Sequence, residues 1–153
     1  MSRFLYGADN TVKNWIIDKI DYVHKLDPCV TIGVISSDRL IAGVAYHDYQ
    51  SQYGVIQMSM AAISPMWAKK RIINRLLRYP FEQLNCYKVI INIRMDNIKA
   101  LRIFKKIGFK QEAVLHHNYG VNQHAVIMRM LKPDEDRGFK EYGEIVTRST
   151  ATC

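Results

Sequence analysis

Residues 63–109 decide the fold of this chain and read ISPMWAKKRIINRLLRYPFEQLNCYKVIINIRMDNIKALRIFKKIGF. The stretch contains an apolar strand, residues 87–93, between two segments whose apolar residues recur at helical spacing. A strand that follows another strand by way of a helix usually pairs with it in parallel, and helices then cover the sheet. The stretch therefore predicts a parallel strand pair at the centre of an α/β domain.

Most of the positive charge also lies in this stretch. The 153-residue chain has a formal net charge of +8, and positions 69–110 hold twelve lysines and arginines against only Glu82 and Asp96. Such a cluster indicates either a solvated helix face or a site for a polyanion, namely a phosphorylated cofactor or nucleic acid. Two stripes at helical spacing are the predicted nucleic-acid-binding residues: Arg71, Arg75 and Arg78, then Lys99, Arg102 and Lys106.

Composition predicts one compact domain. The chain is 48% hydrophobic and 24% charged, which suits a single core. It has no apolar run near the ~20 residues that span a bilayer, and its first ten residues lack the apolar core of a signal peptide. Its three cysteines, Cys29, Cys86 and Cys153, are widely spaced, which argues against a disulfide framework or a zinc site. We expect a cytoplasmic protein with no metal site and no membrane contact.

The remaining elements follow from periodicity and turn residues. Asn10 or Thr11 is expected to cap the first helix, and Pro80 to kink or split the second. Asp96 or Asn97 is expected to cap the third helix, and Gly108 to end it. The predicted helices cover residues 11–24 and 98–107, and a further helix after Pro65 places Ile72, Ile73, Leu76, Leu77 and Leu84 on one face. The predicted strands cover 30–35, 40–48, 54–63, 87–93, 111–119 and 123–131.

This order predicts an α/β fold with a mixed, mostly antiparallel central sheet and helices on both faces. The chain changes composition after Pro133, where an acidic and then polar segment begins. The predicted organisation is therefore one domain over residues 1–132 and a polar C-terminal tail over residues 133–153.

The sequence resembles the GNAT superfamily of acyl-CoA-dependent N-acyltransferases over residues 31–131. It is most similar to the branch of the ribosomal-protein N-terminal acetyltransferases, and small phage-encoded members also have this short basic build. The residues that carry the resemblance are Ser64, Pro65, Trp67, Leu76, Leu77, Tyr79, Phe81, Leu84, Asn97, Ala100, Phe104, Lys106, Gly108, Phe109 and Glu112.

The resemblance implies that acetyl-CoA or another acyl-CoA binds between the third predicted strand and strand 87–93. The strand backbone would meet the pantetheine arm, and the following loop would offer N–H groups to the pyrophosphate at a helix N-terminus. For Asn97 a plain helix cap, and for Phe104 a core position, remain open. The implied cofactor-binding residues are Met60, Ala61, Ala62, Ile63, Lys69, Lys70, Arg71, Ile72, Ile73, Asn97, Ala100 and Phe104.

Two departures from the family pattern stand out. Residues 68–73 contain neither of the loop glycines that let a backbone approach phosphate closely, and Arg71 and Ile73 are expected to add bulk there. Acyl transfer to an amine also needs a base and an acid, yet residues 54–63 contain no carboxylate and Phe104 replaces the family tyrosine. The polar candidates that remain are Tyr53, Gln57, Ser59, His116, His117 and Tyr119, and either histidine could act near neutral pH. From these, the predicted catalytic residues are Ser59, His116 and Tyr119.

Three functions are consistent with these features. The first is transfer of an acyl group, expected to be acetyl, from acyl-CoA to an amine of a protein or nucleic acid. The second is a phage-type nucleic-acid-modifying protein similar to the Mom proteins. The third is a non-catalytic relative that binds nucleic acid or a host protein through its basic face. The missing glycines favour the last two, and the block at residues 97–112 favours the first.

Overall fold

One seven-stranded sheet organises the protein. The computed structural model describes residues 2–132, and the predicted tail at 133–153 lies outside the described residues. The sheet order is β1–β2–β3–β4–β5–β7–β6, and among the strands of residues 2–132 only β4 and β5 pair in parallel. The strands are β1 Arg3–Tyr6, β2 Cys29–Ser36, β3 Arg39–Gln50, β4 Val55–Ala62, β5 Lys88–Arg94, β6 Lys110–Leu115 and β7 Ala125–Leu131; the α-helices are α1 Asp9–Lys19, α2 Lys70–Arg78 and α3 Ile98–Ile107. The predicted fold class and the predicted parallel pair are confirmed.

Helices cover both faces of the sheet. Val44 belongs to the core cluster that α2 and α3 complete, whereas its neighbour Ala45 packs with α1. Successive side chains of a strand point to opposite faces, so these two clusters lie on opposite sides. Close packing of α1 depends on Gly43, where a Cβ atom would lie 2.9 Å from the Val12 Cγ1 atom.

The predicted break at Pro80 is confirmed. Helix α2 ends at Arg78, and a π-helical turn, Tyr79–Gln83, follows it directly. At the end of this turn the Leu84 N–H donates to the Tyr79 carbonyl at 3.0 Å. Proline has no N–H, so the Leu76 carbonyl loses its helical donor. The hydroxyl of Tyr46 replaces that donor at 2.6 Å, inside the core.

The N-terminal region differs from the prediction. The short strand β1 was not predicted, and α1 begins at Asp9 and ends at Lys19 rather than at residue 24. Neither expected cap is used: Ala8 is the N-cap, and no side chain caps the helix. Tertiary contacts override the local pattern here, because the chain beyond α1 adopts an extended conformation at Ile20 and goes on to line the cavities described below.

The last hairpin is shorter than predicted. Strand β6 ends at Leu115, not at residue 119. The following turn has positive φ angles at His117, Gly120 and Asn122, which an extended strand cannot contain. Residues 116–124 therefore form a loop that brings Tyr119 back toward the sheet.

Two further observations concern the described residues. No helix among residues 2–132 is long and apolar enough to cross a membrane. Cys29 and Cys86 are free thiols, and Cys153 lies outside the described part of the chain.

Candidate active site

The centre of the sheet opens where β4 and β5 diverge. Their pairing runs from Val55 opposite Lys88 to Met58 opposite Ile91 and then stops. Beyond this point β4 pairs only with β3, so its other edge carries backbone groups without a β5 partner. Such an edge can bind an extended ligand as a further strand would bind.

A cavity of about 660 Å³ occupies this opening. Its walls come from the end of β4, the 3₁₀ turn Pro65–Ala68, the start of α3 and the segment after α1. The predicted cofactor-binding residues that line it are Met60, Ala61, Ala62, Ile63, Asn97, Ala100 and Phe104. We call it the first cavity.

Asn97 and Phe104 have the structural roles that the sequence left open, and both also line the first cavity. The Asn97 Oδ1 atom accepts from the Ala100 N–H at 3.2 Å, which makes Asn97 the N-cap of α3. The Phe104 ring is 6% exposed and lies 6.0 Å from the Trp67 ring and 5.4 Å from the Phe109 ring, between centroids.

Of the predicted phosphate loop, residues 67–73, Trp67 lines the first cavity and residues 68–73 do not. The side chains of Ile72 and Ile73 are buried in the core. Arg71 turns toward the N-terminus, where its guanidinium donates to the Ser2 carbonyl at 2.8 Å and lies over the Phe4 ring. Neither Arg71 nor Ile73 therefore adds bulk to the first cavity.

Backbone groups at the start of α2 remain suitable for an anion. The first helical bond donor is Ile73, whose N–H pairs with the Lys69 carbonyl, and no side chain caps the helix. The N–H groups of the three preceding residues have no partner within the helix. Lys69 and Lys70 are exposed beside them, so this end of α2 combines backbone donors with positive charge.

Charged groups of both signs surround the first cavity. Arg94 forms a 2.7 Å ion pair with Asp96 and also donates to Gln123. The hydrogen bond between Arg94 and Asp96 lowers the pKa of the Asp96 carboxyl and raises the pKa of Arg94. Lys19 and Lys99 add positive charge at the wall, which suits a phosphorylated ligand.

A second cavity of about 250 Å³ adjoins the first. Among the predicted catalytic residues, Ser59 and Tyr119 line it, and His116 lines neither cavity. The residues common to both cavities, which mark where they meet, are Ile20, Tyr22, Met60, Asn97, Ala100 and Phe104.

His47 connects Ser59 to a carboxylate in the second cavity. Its Nε2 atom lies 2.8 Å from Ser59 Oγ, and its Nδ1 atom lies 2.6 Å from Asp48 Oδ2. A carboxylate can only accept a hydrogen bond, so the neutral imidazole carries its proton on Nδ1 and donates it to Asp48. Nε2 then accepts the hydrogen bond of the Ser59 hydroxyl. The imidazole is 10% exposed and reaches the cavity wall.

The sequence prediction did not include His47. Register explains its position, because His47 pairs with Gln57 across β3 and β4, and Ser59 lies on the same face of β4 two residues further. One signal in the sequence could have indicated His47. It is part of a polar His-Asp pair at the end of an apolar strand, and a short turn connects that strand to the next.

Two tyrosines face each other beside this group. The Tyr22 and Tyr119 rings are 4.4 Å apart between centroids, and the Arg94 guanidinium lies over the Tyr22 ring. Burial raises the pKa of both phenols, so both keep their protons at neutral pH. Tyr22 lines both cavities and was missed because the prediction placed it in a helix.

His116 belongs to a different cluster. It is exposed in the β6–β7 loop, where its ring lies 5.1 Å from the His124 ring. The Nδ1 atoms of His117 and His124 accept backbone N–H groups, so these rings hold the turn together. No group of His, Cys, Asp and Glu side chains within residues 2–132 is arranged to hold a metal ion.

Similarity to known proteins agrees with this geometry. The model of the acetyltransferase (GNAT) family matches residues 3–109. The chain belongs to the GNAT acetyltransferase family.

Curated relatives come from the same family. Spermidine N(1)-acetyltransferase of Escherichia coli (strain K12) is 29% identical over 96 residues, which are 58% of this chain and 52% of the relative. An N-alpha-acetyltransferase of Sulfurisphaera tokodaii is 36% identical over 47 residues, which are 31% of this chain and 28% of the relative. The chain spans about half the length, or less, of the curated relatives it matches.

Solved structures show the same GNAT fold. Mutant forms of the spermidine/spermine N-acetyltransferase SpeG from Vibrio cholerae superpose with a TM-score of 0.72 at 15% identity, over 97% of this chain and 99% of that one. A dodecameric structure of the Vibrio cholerae spermidine N-acetyltransferase gives 0.70 at 17% identity, over 86% and 93%. At these identities the likeness concerns the fold alone.

The two basic stripes of this GNAT protein differ in what they contact. Arg71 and Arg75 lie over the Phe4 ring, and Arg78 pairs with Glu82 at 3.2 Å. The stripe on α3, Lys99, Arg102 and Lys106, is exposed. The α2 stripe is therefore partly engaged within the protein, and the α3 stripe presents its charge to solvent.

Proposed function

We propose that the protein transfers an acetyl group from acetyl-CoA to a primary amine. The observation that carries this proposal is the pair of cavities that meet at the β4–β5 opening. One has a free strand edge and basic groups, and the other has an imidazole and two phenols. GNAT enzymes as a family use acetyl-CoA as the acyl donor.

The residues of the first cavity fit this donor. The open edge of β4 at residues 60–63 offers backbone partners to the amides of the pantetheine arm, and the N-terminus of α2 with Lys70 offers partners to the phosphates. Lys99 at the cavity wall adds charge for the same phosphates. Acetyl-CoA supplies a thioester, whose carbonyl carbon the amine attacks. The side chains of Ile72 and Ile73 are buried in the core and that of Arg71 contacts Ser2 and Phe4, so none of the three narrows the first cavity.

The protein's own side chains would position and protonate the reacting groups. Trp67 and Phe104 wall off the apolar end of the first cavity and exclude water there. Tyr22 lies where the cavities meet and keeps its proton, so it can donate to the departing sulfur. Tyr119 packs against it and is the second candidate donor.

The side chains that line the second cavity indicate how much positive charge the acceptor amine can carry. Its lining within residues 2–132 contains no aspartate or glutamate, and Lys25 and His24 contribute to its wall. Spermidine would bring further ammonium groups, which need carboxylate partners when they leave water. We therefore infer an amine without further positive charge, for which the α-amine of a peptide is the model. A place near the ribosomal-protein branch and a phage origin remain hypotheses.

Acyl transfer is favoured over the nucleic-acid-modifying and the non-catalytic alternatives. Both of those alternatives drew on the missing loop glycines, and the side chains that replace them do not enter the first cavity. The exposed stripe of Lys99, Arg102 and Lys106 remains a predicted nucleic-acid surface, which would hold a nucleic-acid-borne acceptor.

Calorimetry and an acetyl-transfer assay test the proposal together. Titration with acetyl-CoA should release or absorb heat, and 3′-dephospho-CoA should bind more weakly. Release of free CoA should then be followed with an uncharged-side-chain peptide and with spermidine as acceptors, the peptide being the better one. Absence of acetyl-CoA binding at millimolar concentration would refute the proposal. Faster turnover of spermidine would refute the inferred acceptor class while leaving acyl transfer intact.

A further inference from the structure

The second cavity holds one group suited to accept the proton of the amine. An amine reaches the protein as an ammonium ion and must lose a proton before it can attack a thioester. Strand β4 supplies no carboxylate for this step. The titratable side chains that line the cavity within residues 2–132 are Tyr22, His24, Lys25, His47 and Tyr119.

Among these groups only His47 makes a hydrogen bond through each ring nitrogen, one to Asp48 and one to Ser59 in the cavity wall. His24 and Lys25 are exposed, and a lysine ammonium has no acceptor capacity. The tyrosines have raised pKa values and are proton donors rather than acceptors. Asp48 outside the cavity is directed at His47 Nδ1, which leaves Nε2 facing Ser59.

We propose that His47 is the proton acceptor of the acyl transfer and that it acts through Ser59, with Asp48 as the positioning residue. This inference rests on the proposed function, and it names the base that the β4 sequence lacks. Ser59 touches the amine, His47 receives the proton, and the three residues form one chain of hydrogen bonds from the second cavity to solvent.

The proton movement balances without any added reagent. An N–H bond of the ammonium breaks, and its proton moves to Ser59 Oγ. The Ser59 O–H bond breaks at the same time, and that proton moves to His47 Nε2. The amine nitrogen keeps the electron pair for attack on the thioester carbon. The imidazolium that forms is stabilised by the Asp48 carboxylate at 2.6 Å, and it loses the proton to solvent after turnover.

The backbone at Asp48 suits a fixed orientation. Asp48 has a φ of +51°, a conformation that aspartate and asparagine adopt more readily than most residues. Asp48→Asn therefore keeps the backbone and removes only the charge. This makes it a sharper test of the carboxylate than replacement by alanine.

Profiles of kcat/KM against pH distinguish a proton acceptor from a structural residue. The acidic limb of such a profile reports the essential base of the free enzyme. His47→Gln should lower kcat/KM about 100-fold or more at neutral pH and remove the acidic limb. Asp48→Asn should lower kcat with little change in KM, because the Nδ1 hydrogen bond that fixes the ring is weakened. Ser59→Ala should lower kcat with little change in KM.

Acetyl-CoA binding is the control for each variant. His47 and Ser59 do not line the first cavity, so calorimetry should give wild-type affinity for acetyl-CoA within about twofold. A variant that binds the donor normally has folded, and its loss of turnover then concerns the acceptor side. His47→Asn serves as a second replacement if the glutamine variant fails this control.

Three results would overturn the proposal. One is an acidic limb that persists in His47→Gln and disappears in His116→Gln. Another is retention of full kcat by both His47 variants. A third is an acetyl group on Ser59, seen by mass spectrometry after incubation with acetyl-CoA alone, since Ser59 would then be a nucleophile. Failure of the wild type to bind acetyl-CoA is a separate outcome that removes the proposed function itself.

Discussion

The two cavities are built in different ways. The first is lined mainly by two runs of neighbouring residues, 60–67 and 94–104, with residues 19–22 completing its wall. The second takes single side chains from several distant parts of the chain, including His47 on β3, Ser59 on β4 and Tyr119 in the β6–β7 loop. The first cavity is thus largely a property of local chain order, whereas the second depends on strand register and loop packing.

Closing the junction between the cavities should have the largest effect. Ala100 lines both cavities from α3, and an indole at this position fills the passage. Ala100→Trp should abolish acetyl-CoA binding in calorimetry and lower turnover more than about 100-fold, because the reacting atoms cannot meet. The exposed Lys105 on the same helix provides the control, and Lys105→Trp should leave both quantities unchanged. Normal binding by Ala100→Trp would show that the donor does not pass this point.

The tyrosine pair provides the next largest effect. Tyr22→Phe should lower kcat about 100-fold by removing a general acid, and Tyr119→Phe should cost less because Tyr119 does not line the first cavity.

The pH profile of kcat tests whether the protonated Tyr22 phenol is the active form. Burial raises the pKa of Tyr22, so the phenol keeps its proton, and activity should fall only as the pH rises above the ordinary tyrosine range of about 10. This alkaline limb should be absent in Tyr22→Phe. A larger loss in Tyr119→Phe would assign the acid to the second cavity.

Substitution of Asn97 separates a structural role from a binding role. Asn97→Ala removes the cap of α3 and should lower the free energy of unfolding by about 1 kcal/mol. Asn97→Ser keeps a capping oxygen and should restore most of that stability. Calorimetry with acetyl-CoA on both variants completes the test. Weak donor binding by a stable Asn97→Ser protein would mean that the amide touches the cofactor, and normal binding would mean that Asn97 only caps the helix.

The smallest effects are expected at the start of α2. Lys70 is exposed there, and loss of one charge–phosphate contact should weaken acetyl-CoA binding about fivefold in Lys70→Ala. Arg71→Ala should change the affinity less, because its guanidinium is bound to the Ser2 carbonyl and lies over Phe4. Equal losses in the two variants would mean that Arg71 turns toward the donor when it binds.

Much of the fold was accessible from the sequence because its signals are local. The bounds predicted for α3 agree with the structure, since an amphipathic decamer stands between a capping asparagine and a glycine. The missing N–H of Pro80 predicted the end of α2 in the same way. Strand β1 escaped prediction because four residues at a sheet edge give too short a pattern. The end of α1 escaped because nothing local after Lys19 stops a helix.

In the candidate site, too, the residues predicted from the sequence are those positioned by local chain order. Residues 60–63, Asn97, Ala100 and Phe104 were predicted to lie near one another. They do so because β4 pairs in parallel with β5, and α3 directly follows β5. His47 and Tyr22 were not predicted. Their relation to Ser59 and Tyr119 exists only after β3 has paired with β4 and the last hairpin has folded over them.

The sequence by itself therefore determined the class of fold, the parallel pair at its centre and the part of the first cavity formed by residues 60–63, Asn97, Ala100 and Phe104. Periodicity, helix caps and the order of elements are local signals in the sequence, so these properties can be predicted without knowledge of the tertiary structure. Only the tertiary structure decided where the side chains of residues 71–73 point and which imidazole meets Ser59. Both depend on contacts between residues far apart in the chain: Arg71 with Ser2 and Phe4 in one case, and the register of His47 opposite Gln57 in the other.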